Sequence, residues 1–328
     1  MDNPVLVEIL RGNTVESRHR GAIAVSDSAG KLVYSVGDVE RASFARSAVK
    51  PIQALPLLET GAADHFRLGA RELALACASH HGETAHTESV GAWLGRVGLS
   101  DHDLECGAHL PYDVPTAHAL LRAGKSPCPL HSNCSGKHSG FLTTAVHKRE
   151  KTRGYIDYEH PVQKRVTQAL SEMCAVDADR APRGVDGCGI PTIALPLAAI
   201  ARGMARMADT SGLPPERVEA ARRIGDAMAA EPLMVDGTGG FATEVMKAVG
   251  RDVRVKPGAE GFFCAILPGQ GLGVALKIDD GAGRASEVAM AAVLERLGIN
   301  MSGLERYARP VIRNVAGRDV GSIRPVIA

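Results

Sequence analysis

LVEIL (6–10), GAIAV (21–25) and KLVYSV (31–36) read in the strand manner, short runs rich in Val, Ile, Leu and Tyr, and Gly12-Asn13 and Asp27-Ser-Ala-Gly30 between them supply turns. The chain therefore opens as antiparallel strands. Outward from there the period changes. Between 51 and 209 apolar residues recur at helical spacing, predicting helices over 51–59, 70–78, 86–97, 116–123, 138–148, 160–174 and 192–207. Two more follow at 214–230 and 240–249. Strands return only late, as VRVK (253–256), GFFCAIL (261–267) and GLGVALKI (271–278), before a helix over 285–298 and a strand-like tail at 310–327. Strands at both ends around a helical middle predict an α+β fold whose antiparallel sheet is built from the N- and C-terminal segments. The corresponding division is a sheet domain from 1–50 and 210–328 and a mainly helical domain from 51–209, with no repeat or low-complexity linker to mark the boundaries.

The 328 residues carry 38 Lys+Arg against 37 Asp+Glu, a net charge of +1, which leaves no electrostatic footprint for nucleic acid or an anionic membrane. A small-molecule partner is expected. No apolar run is long enough to span a bilayer, and Met1-Asp-Asn-Pro4 lacks the basic and apolar regions of a signal peptide, so a cytoplasmic location is expected. Seven cysteines, an odd number without regular spacing, then read as free thiols or metal ligands.

HSNCSGKHSG (131–140) holds no aliphatic or aromatic side chain in a chain that is 45% hydrophobic, so it is an exposed loop or the wall of a site. It leads into a helix N-terminus, where Cys134, Lys137 and His138 at i, i+3 and i+4 share one face. Ser47-Ala-Val-Lys50 before Pro51 has the S-x-x-K spacing of serine acyl-transfer enzymes, in which a lysine serves as base; such four-residue patterns arise by chance, and alone it reads first as a helix cap beside a surface lysine. CASHHGE (77–83) ends an apolar helical run in polar groups, as a cleft wall does, or as a helix terminus with histidines favoured by the macrodipole. Asp186-Gly-Cys188-Gly presents a thiol between glycines. Cys134 and Cys188 could jointly bind zinc as thiolates, or be two buried thiols. Lys256 at a strand end reads as a solvated edge charge. Of two glycine-rich runs, GQGLG (269–273) reads as a hairpin turn, and DGTGG (236–240) lacks the strand and lysine of a phosphate loop.

Taken in order, FARSAVKPIQ (44–53), CASHHGE (77–83), HSNCSGKHSGFL (131–142), DGCGIPT (186–192) and KPGAEG (256–261) resemble the rhizobial-type L-asparaginase II family. That resemblance implies a fold of the penicillin-binding-protein and serine β-lactamase type, L-asparagine hydrolysis to aspartate and ammonia, and a homodimer. It implies catalytic tandems of Ser47 with Lys50 and Ser79 with Lys256, with Ser47 the preferred nucleophile. It further implies zinc held by Cys134, Lys137 and Cys188, and Arg46, His138 and Asp186 facing the substrate. One run departs from the family pattern: Gly240 stands where a Gly-Thr-x-Arg-Phe-type run would carry arginine. Competing readings are a penicillin-interacting serine hydrolase or serine-type glutaminase, although no K-T-G or S-D-N element is present, and a zinc- or amino-acid-binding module without turnover.

Overall fold

The computed structural model describes residues 2–327. Eleven strands are found among them: β1 Val5–Arg11, β2 Thr14–Asp27, β3 Leu32–Val36, β4 Ala42–Phe44, β5 Arg183–Val185, β6 Pro191–Pro196, β7 Arg254–Pro257, β8 Phe262–Leu267, β9 Leu272–Ile278, β10 Val311–Arg313 and β11 Asp319–Pro325. The main sheet runs β10-β11-β1-β2-β9-β8-β7, with β3 also on β2, and every pairing in it is antiparallel. Its strands come from the two ends of the chain, so the α+β class and the sheet built from both termini hold. Successive residues of β8 are all buried, which requires cover on both faces. The helices Leu197–Ala208 and Gly283–Arg296 provide it, each packing on β8 and β9. Gly273 lets the first of them approach closely, because a Cβ there would overlap the backbone of Ala201 and Ala205.

The helical middle differs from expectation in two places. The helix expected over 192–207 starts only at Leu197; the preceding residues form β6, which with β4 and β5 makes a separate three-stranded sheet. The prolines at 191 and 196 and the β-branched Thr192-Ile193 between them oppose a helix, and β4 and β5 supply the hydrogen bonds. The helix expected over 51–59 is two short pieces, Lys50–Gln53 and Leu55–Glu59, each with a proline in its first turn. GQGLG is a hairpin connection between β8 and β9, as read from the sequence. Among the described residues no helix is long and apolar enough to cross a membrane, and all seven cysteines are free.

Candidate active site

A cavity of about 420 Å³ opens where the helical middle meets the end of β7. Ser47 lines it from a 3-10 turn, Arg46–Val49, that feeds the buried Lys50. Arg46 has a left-handed backbone, φ 48°, a conformation that costs a non-glycine residue of order 1–3 kcal/mol and clusters at functional sites. Ser79 lines the cavity just beyond the helix Ala70–Ala76, fixed by a hydrogen bond from its amide to the Val235 carbonyl. Lys256, buried on β7 behind the wall, reaches the Ser79 hydroxyl. The helix Ser135–His147 brings in the thiol and amine of the polar run, and Gly136 seats it, since a Cβ there would overlap the Leu75 carbonyl.

The lysines converge on one hydroxyl. Ser79 Oγ lies 3.0 Å from Lys50 Nζ and 2.7 Å from Lys256 Nζ. Lys50 Nζ also donates to the Ala78 carbonyl and lies 3.2 Å from Cys134 Sγ. Burial, aided by the Lys50 ammonium and opposed by Asp236, draws the Lys256 pKa down to about 7. The Ser47 hydroxyl shares the cavity, but among the described residues it has no hydrogen bond to Lys50 or Lys256. The two lysines therefore meet at Ser79 rather than each at its own serine.

A second cluster lies beside the first. Lys137 Nζ donates to Cys188 Sγ at 3.0 Å, and the Cys134 thiol, on the same cavity wall, acts on Cys188 as a hydrogen-bonding neighbour in setting its pKa. That hydrogen bond, helped by the Lys137 ammonium against the cost of burial, brings the Cys188 thiol down to about 5. The same bond, together with burial, holds the Cys134 proton on, up to about 11. Burial works against the Lys137 charge, yet the two sulfurs and Asp186 outweigh it and raise its pKa. Among the described residues no group of three His, Cys, Asp and Glu side chains is placed to hold a metal ion. Two thiols and an amine nevertheless form a sulfur–nitrogen donor set that suits zinc, provided Lys137 gives up its proton.

The remaining residues singled out by sequence divide. Arg46 and Asp186 pair with each other at 2.7 Å on the cavity wall. Burial opposes the Asp186 charge, but Lys137 and Arg46 overcome it and lower its pKa. His138 is fully buried behind the wall; its Nδ1 is 2.8 Å from the Tyr155 hydroxyl and its Nε2 has no partner. His80 also turns inward, 2.8 Å from Ser135 Oγ and stacked on His86. Sequence reasoning missed His109 and Tyr112, which line the mouth as a stacked pair, because isolated residues in an irregular stretch carry no spacing signal. It also missed His81 and Asp236, whose Nε2 and Oδ1 are 3.8 Å apart, although both sit in runs that had drawn notice. Burial pushes the Asp236 carboxyl up, against Lys256 and His81.

With this geometry in place, the comparisons decide the family. The L-asparaginase II family model matches residues 7–325. The chain belongs to the L-asparaginase II family. Among solved structures it is similar to Mglu in its native form, at 12% identity and a TM-score of 0.49, over 86% of this chain and 65% of that one. A β-lactamase from Mycobacterium bovis matches at 14% identity and TM-score 0.40, over 84% of this chain and 94% of that one. The simvastatin synthase LovD from Aspergillus terreus, in a mutant form, matches at 12% and 0.41, over 84% and 93%. The asparaginase II chain thus spans slightly less than two thirds of the length of Mglu. No curated protein matches it.

Proposed function

We propose that this cavity hydrolyses the side-chain amide of L-asparagine to aspartate and ammonia, with Ser47 as nucleophile and the Lys50–Lys256 couple as its base. The observation that carries the reading is Ser79 Oγ held between two lysine nitrogens, one of them with a pKa near 7. Two amines this close favour a single ammonium, so the couple holds one neutral nitrogen at neutral pH. The Ser79 hydroxyl donates to one nitrogen and accepts from the other, and by exchanging both protons it moves the charge between them. When Lys50 is the neutral member it takes the Ser47 proton as Oγ attacks the amide carbon; the couple then delivers a proton to the departing nitrogen as the C–N bond breaks. Water, deprotonated by the same couple, attacks the ester carbon; the bond from that carbon to Ser47 Oγ breaks, the couple returns the proton to Oγ, and aspartate leaves. The contact between Ser47 and Lys50 forms on substrate binding in this scheme, as catalytic hydrogen bonds often do. The free Ser47 hydroxyl and the left-handed Arg46 beside it favour this serine over Ser79.

The Arg46–Asp186 pair offers opposite charges for an amino acid: the guanidinium for the α-carboxylate and the carboxylate for the α-ammonium. We propose further that Cys134, Cys188 and Lys137 hold zinc, which when bound supplies Lewis-acid positive charge beside the pocket. Ammonia release from asparagine and glutamine by metal-quantified protein tests the reading. Turnover of asparagine is expected; no turnover of either amide would overturn it. Mass spectrometry of the acylated enzyme tests the nucleophile, with the adduct expected on Ser47, and an adduct on Ser79 reverses the two serines.

A further inference from the structure

A second cavity, of about 490 Å³, lies between the main sheet and the three-stranded sheet. Arg46 belongs to the walls of both cavities, and the turn after β7 divides them: Pro257, Gly258 and Ala259 face the first and Glu260 faces the second. Glu260, like Arg46, has a left-handed backbone, φ 57°, and its carboxylate lies over Gly281, where a Cβ would collide with it. Strain in a dividing wall is retained when it places side chains for use.

Most charges around this second cavity are already matched. Asp279 accepts from Asn3 at 2.9 and 3.2 Å and lies 3.7 Å from Arg41. Asp38 accepts the Arg41 amide at 3.1 Å, and Arg46 is engaged by Asp186. Asp38 holds only that neutral amide, and two further charges have no ion-pair partner. Lys277, half-buried on β9, donates to the neighbouring Ile278 carbonyl, and Glu260 stands in the turn just before β8, two residues from Phe262, which pairs with Lys277; among the described residues neither forms an ion pair. Burial lowers the Lys277 pKa, against Asp279 and Glu260, so its ammonium gains from a carboxylate brought to it. Alternation along β9 puts Lys277 on the face that Gly273 presents to the helix Leu197–Ala208, beside Leu197 at that helix's start. Phe44, Leu197, Ala22 and Val185 complete an apolar side.

We propose that this cavity is a second, non-catalytic site for a free α-amino acid with an apolar side chain, its carboxylate on Lys277 and its ammonium on Glu260. The ligand lies across the Arg46 wall from the catalytic serines and carries no amide to be hydrolysed. The experiment is equilibrium dialysis of the full-length protein against radiolabelled L-leucine in the millimolar range. Saturable binding of one leucine per chain is expected. Glu260→Gln and Lys277→Met should each weaken it by about tenfold or more, the effect of removing one charged hydrogen-bonding partner. Leucinamide and 4-methylpentanoate, each lacking one charge, should compete correspondingly poorly, and Asp186→Asn should leave binding intact. Glu260 is exposed, so its variant reports even if Lys277→Met fails to fold. Absence of saturable binding, binding indifferent to Glu260→Gln, or binding abolished by Asp186→Asn, which would put leucine in the catalytic cavity, each overturns the proposal. No amide is turned over in this measurement, so it succeeds or fails independently of the asparagine reading.

Discussion

Replacing Lys256 by methionine separates what its charge costs the fold from what its amine does for catalysis. The ammonium is buried beside a second lysine, and its pKa falls from 10.5 to about 7. Between those values the unfolded chain binds a proton at this position that the folded chain has released, so stability rises with pH across the window. A fully expressed difference of one proton makes the slope about 1.4 kcal/mol per pH unit. Methionine cannot titrate, and the hydrogen bonds it forfeits to Ser79 and the Pro257 carbonyl shift its stability by an amount that does not vary with pH in this scheme. Urea unfolding of both chelator-treated proteins at several pH values from 7.5 to about 9.5 should therefore show the wild type gaining on the variant by about 2–3 kcal/mol in total. Below pH 7 the difference should level off, because both states of the wild type are then protonated. Ammonia release should fall by about 10²–10⁴, the usual contribution of a positioned acid–base group. Parallel stability curves would refute the depressed pKa, and activity within about tenfold of wild type would refute the base assignment.

Three further outcomes are expected. Cys134→Ser should lower the zinc content of the purified protein first and activity only in proportion, whereas activity lost at full metal content would make Cys134 a nucleophile. Asp186→Asn should raise the KM for asparagine by about 10–100-fold, a charged hydrogen bond to the α-ammonium being worth about 1.5–3 kcal/mol; an unchanged KM rules the Arg46–Asp186 pair out of substrate recognition. Gly136→Ala should destabilise the protein by about 1–3 kcal/mol through its overlap with the Leu75 carbonyl, and wild-type stability in a thermal melt would contradict that packing.

The sheet was legible because its strands are apolar, rich in β-branched residues and bounded by turn residues, and the pairing of the two chain ends followed from the absence of strand pattern between them. The pieces that escaped, β4, β5 and β6, are three to six residues long, too short to show a period, and β4 joins β6 from a distant part of the chain, a pairing that no local pattern records. The site behaved similarly. Ser47, Ser79, Cys134, Asp186 and Cys188 were visible as polar runs beside apolar ones, and all line one cavity. Lys256 was not visible from its surroundings: the ordinary expectation for a lysine at a strand end is solvent, yet it is 2% exposed. Only its motif context pointed inward. The partner of each lysine was hidden too, since S-x-x-K spacing says how far apart two residues are along the chain and not which hydroxyl a flexible amine will reach.

Gly240 shows how a departure in a motif becomes a structural statement. The resemblance set arginine at this position, and an arginine there would have offered a second cation for the substrate carboxylate. In this chain the Asp236 carboxylate folds back over Gly240 to accept the Ala242 amide at 3.0 Å at the start of the helix Phe241–Val249, and any Cβ at 240 would collide with it. The glycine and the buried acid thus come as a pair. The acid sits on the cavity wall, where its charge favours the Lys256 ammonium and partly offsets the depression that burial causes. The missing cation leaves Arg46 as the guanidinium on the wall of the cavity. In the proposed reading carboxylate recognition falls to Arg46, the residue that lines both cavities, and Arg46→Lys, which keeps the charge but loses the fork that grips Asp186, should cost substrate affinity nearly as much as Arg46→Ala.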